Sequence, residues 1–114
     1  MGYQKNIIPE AVRRLDFSGI SGTFADLGAE LSDPLRILQF KNTTDVTAEI
    51  TIDGTNVNFE IPTNSFDLYD LSANNAPDEM ALLRAGIQLQ VRRPAAELDP
   101  TEGAVIVQTW IGEV

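Results

Sequence analysis

The 114-residue chain carries 8 Lys and Arg against 17 Asp and Glu, which gives a formal net charge of −9. Its 43% hydrophobic and 22% charged residues are typical of a globular protein, and its length fits one domain. The acidic balance disfavours nucleic acid and anionic lipid as direct partners, and the lack of cysteine and histidine excludes disulfides, thiolate zinc sites and the common catalytic triads.

Residues 1–10 are predicted to form an N-terminal arm or an edge strand, ahead of one sandwich domain over residues 11–114. Pro9 has no backbone donor and biases Ile8 toward extended structure. The first residues lack the pattern of a signal peptide, and no apolar run reaches the roughly 20 residues that span a bilayer. We therefore expect a protein that is made in the cytoplasm and has no membrane partner.

The next segments predict short strands and a hairpin. Strands are expected within residues 11–17 and 23–28, and the apolar run 35–40 is typical of a central strand. Residues 46–52 and 57–61 alternate apolar with polar side chains on either side of Asp53-Gly54, a pair that favours a type I′ turn.

Two hairpin registers keep apolar residues opposite apolar residues. A two-residue loop of Asp53 and Gly54 would place Ile50 opposite Val57, whereas a four-residue loop would extend through Asn56. A three-residue loop without a bulge would place polar residues opposite apolar ones and is disfavoured.

A strand is predicted at 66–71, with Phe66 and Leu68 on one face and Tyr69 on the other. A short helical turn is expected near residues 78–85, where a proline and two acidic residues precede an apolar run.

The last strands are predicted at 87–91 and 104–111. The second is apolar on both faces, as in a strand that is buried between two layers or under a partner. The chain is therefore expected to be all-β: a single-domain β-sandwich, jelly-roll or Ig-like, of about seven to eight mostly antiparallel strands.

No motif in the sequence predicts catalysis, a cofactor or a metal ion, and we expect a protein that is not an enzyme. The pairs Arg13-Arg14 and Arg92-Arg93 are interpreted as members of surface ion pairs. Asn42-Thr43-Thr44 matches a glycosylation acceptor but is predicted to be a turn.

Tyr69 and Trp110 are amphipathic aromatic residues of the kind that stack on sugars or pack against a partner. For Trp110, which lies in a very apolar run, core packing is favoured.

Short segments along most of the chain resemble a group of small structural proteins of tailed bacteriophages. The segments are Leu15-Asp-Phe-Ser18, Gly22-Thr-Phe-Ala-Asp-Leu-Gly28, Asp33-Pro-Leu-Arg36 with its continuation to Asp45, Ile50-Thr-Ile-Asp-Gly54, Ile61-Pro-Thr-Asn-Ser-Phe-Asp-Leu-Tyr-Asp-Leu71 and Trp110-Ile-Gly112. The resemblance implies a virion component: a capsid decoration or cement protein, or a head-to-tail or tail completion protein. Its partners would be the major capsid protein or the neck and tail proteins, and we expect a homo-oligomer that docks in many copies.

An apolar arm in front of a compact domain is a candidate contact surface, formed by Tyr3, Ile7, Ile8 and Pro9. The competing interpretation of this segment is an edge strand of the sandwich itself.

Two other functions remain open. One is a carbohydrate- or receptor-binding module of a tail fibre, and the other is a small hydrolase that depends on carboxylates.

Overall fold

The computed structural model describes residues 7–70 and 84–112. They contain nine strands and a single 3-10 turn, Phe17–Gly19. The strands are β1 (Ile7–Pro9), β2 (Arg13–Asp16), β3 (Ala25–Asp26), β4 (Leu35–Asn42), β5 (Ala48–Thr51), β6 (Phe59–Ile61), β7 (Ser65–Asp70), β8 (Gln90–Arg92) and β9 (Ala104–Gly112). The predicted all-β sandwich is confirmed. The helical turn predicted near residues 78–85 falls largely on residues 71–83, which lie outside the described residues.

The strands pair as one long hairpin that is rolled over on itself. β2 pairs with β9, β3 with β8, β4 with β7 and β5 with β6, each antiparallel. Rolling brings β9 against β4 and β8 against β5. One sheet therefore runs β1-β9-β4-β7, with β2 also paired to β9, and the other runs β3-β8-β5-β6. This is the strand order of a jelly roll, one of the two sandwich topologies that the sequence predicts.

The core lies between the two sheets and is formed by alternate residues of their strands. Leu38 and Phe40 of β4 and Val107 of β9 are fully buried from one side, and Ile50 and Val91 are fully buried from the other. Burying a side chain of this size stabilises the folded state by about 1.5–3 kcal/mol. Because the period of burial is two residues, the intervening side chains of each strand point away from the core.

The hairpin of β5 and β6 has the register of the four-residue loop and not that of the two-residue loop. Ile50 pairs with Phe59 and Ala48 with Ile61, and residues 52–58 connect the two strands. The Asp53 carboxylate accepts the backbone N–H groups of Thr55 and Asn56, both at 2.8 Å. These two hydrogen bonds stabilise the longer loop, and a two-residue turn would not contain them.

The predicted strand at 87–91 is only partly a regular strand. β8 begins at Gln90, and the preceding residues bond instead to the segment before β4: Leu27 donates its backbone N–H to Leu89, and Leu31 donates to Ile87. Ile87 and Leu89 still contribute to the core. No helix in the described ranges is long and apolar enough to cross a membrane.

Candidate docking face

The outer face of the five-stranded sheet carries large apolar side chains. On β7, Phe66 is 63% exposed and Leu68 is 59% exposed. Tyr69 points the opposite way, and its ring packs 5.0 Å from the ring of Phe59 and 6.3 Å from that of Phe40, measured between centroids. We call this outer face, formed by β2, β9, β4 and β7, the docking face.

The strand registers place the side chains of this face in three rows. Directly paired residues of antiparallel strands point to the same face. The rows, taken across the sheet, are Arg14, Ile106, Lys41 and Phe66; Gln108, Gln39 and Leu68; and Trp110 and Ile37, with Pro9 of β1 beside Trp110. Apolar and polar residues are therefore interspersed over the whole face.

Trp110 lies on the docking face, so the core packing favoured by the sequence is wrong. On β9 the core positions are taken by Val105, Val107 and Thr109, which are all fully buried. Trp110 has the opposite orientation and is half-buried between Pro9 of β1 and Ile37 of β4. Both faces of β9 are apolar, so its composition does not distinguish the side that meets the core.

The N-terminal candidates lie beside Trp110. Ile7–Pro9 is paired with the end of β9, where Ile8 faces Ile111 and is 40% exposed. Pro9 is exposed, whereas Tyr3 lies outside the described residues. Residues 7–9 thus occupy an edge of the five-stranded sheet, next to the aromatic side chain.

A polar cluster fixes the chain where β1 leads into β2. The Thr109 hydroxyl donates to the Glu10 carboxylate at 2.7 Å, and Arg13 donates to the same hydroxyl oxygen at 2.8 Å. Arg13 also donates through Nε to the carbonyl of Ala29 at 3.0 Å. Because Thr109 is fully buried, this cluster holds the N-terminal strands against β9.

The outer face of the four-stranded sheet is polar instead. Glu49 accepts from Arg92 at 2.8 Å, and the guanidinium of Arg92 lies 4.3 Å above the ring of Phe24. Asp26 accepts from the amide of Gln90 at 2.9 Å. The two outer faces of the sandwich therefore differ sharply in polarity.

Among the described residues, the two carboxylates whose pKa values are clearly perturbed, Asp53 and Asp45, stabilise turns. The N–H groups of Asn56 and Thr55 hold the pKa of Asp53 well below its usual range. The hydroxyl and N–H of Thr101 lower the pKa of Asp45. Burial raises the pKa of Tyr69, and the neighbouring Asp67 adds to the effect. Within the described ranges, no group of three or more acidic side chains could hold a metal ion.

All four arginines of the two basic pairs make ion pairs, as predicted. Their carboxylate partners lie at 2.6–3.5 Å, and the pairs are Arg13–Glu10, Arg14–Asp16, Arg92–Glu49 and Arg93–Asp99.

Asn42 is a structural residue of the turn that was predicted for its segment. It is 1% exposed, and its amide nitrogen donates to the carbonyls of Val46 and Ile61. A side chain held in this way is inaccessible as a glycosylation acceptor in the folded protein.

No protein-family model, curated protein or solved structure matches this chain.

Proposed function

We propose that this chain is a non-enzymatic structural protein of a bacteriophage virion, which docks in many copies on the capsid or at the head-to-tail junction. The observation that carries the proposal is the docking face, on which Phe66 and Leu68 are more than half exposed while Tyr69 of the same strand packs against the core. Large apolar side chains that are exposed side by side mark interaction sites on soluble proteins.

The size of the face favours many copies over one tight contact. Four neighbouring strands about 4.8 Å apart, each about 20 Å long, present roughly 400 Å². If about half of this face and of the matching partner surface is apolar, association buries about 400 Å² of apolar surface in total, which contributes about 10 kcal/mol at about 25 cal/mol per Å² and is close to the cost of association of about 4–15 kcal/mol. A single contact is therefore weak, and repeated attachment to an ordered array supplies the affinity.

Fold and charge support the same function by analogy. Jelly rolls occur in viral capsid domains, although they also occur in lectins and other binding domains. The segments that resemble phage structural proteins include all of β4 and β7, which are two of the four strands of the docking face. A net charge of −9 disfavours contact with packaged DNA and fits a position outside the shell or at the neck.

The test is association with phage particles. The chain is expected to co-purify with virions in many copies per particle, as measured by quantitative mass spectrometry. The double variant Phe66→Ser/Leu68→Ser should fold normally but lose most of its association, because exposed side chains contribute little to stability. Leu98→Ser is the matched control, since Leu98 is 86% exposed but lies in the loop between β8 and β9. Absence of the wild-type chain from particles would refute the proposal.

A glycan- or receptor-binding module is the second candidate, favoured by the position of Trp110 on an outer sheet face. It predicts that sugars shift the fluorescence of Trp110 in the isolated protein. An unchanged spectrum across a panel of host-surface glycans would count against this candidate.

A further inference from the structure

The docking face carries three basic side chains, of which Arg14 is paired with Asp16, although the molecule is strongly acidic. Lys41 lies between Phe66 and Ile106, and Arg14 lies on the other side of Ile106. Arg36 sits at the β-bulge of β4, where its side chain covers Gly112 at the end of β9. The basic side chains are therefore interspersed with the apolar ones.

The balance of charge on the opposite face is reversed. The outer face of the four-stranded sheet carries Asp26, Glu49 and Glu60, and its Arg92 is already paired with Glu49. Of the four salt bridges among the described residues, none involves Lys41 or Arg36. Among the described residues, Lys41 and Arg36 thus have no salt-bridge partner, whereas Arg14 is paired with Asp16 and Arg92 with Glu49.

We propose that the docking face binds an acidic protein surface that also carries apolar side chains, an inference that rests on the proposed function. Cations among the apolar side chains attract carboxylates of a partner, which steers association and fixes orientation, while burial of the apolar side chains supplies most of the affinity. The partner surface therefore carries carboxylates where it meets Lys41 and Arg36, and apolar side chains where it meets Phe66 and Leu68.

Nucleic acid fits this face less well than a protein does. A net charge of −9 repels a phosphate backbone. The two sheets are only about 10 Å apart, which is about one Debye length, so salt screens the repulsion from the acidic groups of the opposite face only in part. Phe66 and Trp110 also lie in different rows, separated by the row of Gln39 and Gln108, so they do not form a continuous stacking platform.

A second copy of the chain fits less well too. Two docking faces placed against each other would oppose Lys41, Arg14 and Arg36 with the same cations. The roughly 400 Å² of the face is also about half of the 800 Å² that each partner of a standard interface buries. The outer face of the four-stranded sheet supplies acidic groups, but the ring of Phe24 on it is covered by Arg92.

The experiment adds the purified full-length chain back to particles of a phage from which its gene has been deleted. We expect Lys41→Glu to weaken binding about tenfold, because it removes one attraction and adds one repulsion. Arg84→Glu makes the same change at an exposed residue beside the loop at Gly54, away from the docking face, and should change affinity less than about twofold. Raising NaCl from about 0.05 M to about 0.5 M should weaken wild-type binding and reduce the difference between the variants.

The outcomes separate the inference from the proposed function. Failure of the wild-type chain to bind the particles contradicts the proposed function. Wild-type binding that is insensitive to salt and to Lys41→Glu overturns the inference alone. Binding to oligothymidine or to phosphatidylglycerol vesicles, or self-association in sedimentation, also overturns it if Lys41→Glu abolishes that interaction.

Discussion

Replacing Asn42 by aspartate should destabilise the folded protein by about 3–5 kcal/mol, although the two side chains have the same shape. The Asn42 amide nitrogen lies 2.8 Å from the carbonyl oxygen of Val46, 3.0 Å from that of Ile61 and 3.3 Å from that of Pro62. Its amide oxygen accepts the backbone N–H of Thr44 at 2.9 Å. Aspartate would place a buried, charged oxygen against three carbonyl oxygens and would leave it without a donor.

This cost should depend on pH. Once protonated, the introduced carboxyl group can donate one O–H to a carbonyl, so the fold raises the pKa of this carboxyl above the value of about 3.9 in the unfolded chain. The full penalty is then present above the folded pKa and decreases as the pH falls toward the unfolded pKa. A charge-independent packing defect would give the same difference in stability at every pH.

The measurement is urea-induced unfolding, followed by far-UV circular dichroism at pH 7 and at pH 5. The total stability expected for a domain of this size is about 6–17 kcal/mol, so a loss of about 3–5 kcal/mol is measurable. Asn42→Ala, expected to cost about 2–4 kcal/mol, provides a second variant if the aspartate protein does not fold. Gln39→Glu makes the same amide-to-carboxylate change on the docking face and should cost less than about 0.5 kcal/mol. A loss below about 1 kcal/mol for Asn42→Asp at pH 7 would refute the reasoning.

Three further predictions concern backbone geometry, acid stability and the docking face. Gly103→Ala should lower the free energy of unfolding by about 3 kcal/mol or more, because the added Cβ would overlap the Thr43 carbonyl. Gly86→Ala should cost only about 1–2 kcal/mol, because its φ of 89° is strained for alanine but the added Cβ would lie in open space. Equal losses would contradict the steric argument. The pKa of Asp53 is lowered in the folded protein, so its contribution to stability is present above the unfolded pKa and is lost as the pH falls through the folded pKa. Asp53→Asn should therefore flatten the decline of thermal stability below about pH 4. Acrylamide should quench Trp110 in the isolated chain and quench it less on particles, and equal quenching in both would place this residue outside the contact.

The alternation of apolar and polar residues was sufficient to predict the layers of this fold but not the orientation of its most apolar strands. In β7 the pattern separates Phe66 and Leu68 from Tyr69 without showing which side meets the core. The same holds for Trp110 on β9. Where both faces of a strand are apolar, long-range packing decides the orientation, and no local signal records it.

The hairpin shows a second limit of sequence patterns. The two registers considered for it differ by two residues, so they keep the same side chains on the same face. The loop is selected instead by side-chain hydrogen bonds: Asp53 accepts two backbone N–H groups, and Asn58 accepts the N–H of Ile52 at 2.8 Å. Pairings such as β2 with β9 join distant parts of the chain and are likewise absent from local patterns.

The central place of β9 has a consequence for synthesis of the protein. Three strands that are translated early, β1, β2 and β4, all need residues 104–112 as their partner. Until these residues have left the ribosome, the earlier strands expose unpaired edges and apolar side chains. Such exposed edges and side chains make a nascent chain prone to aggregation. Copies that end before β9 lack the middle of the docking face, so they cannot join an assembly that uses this face.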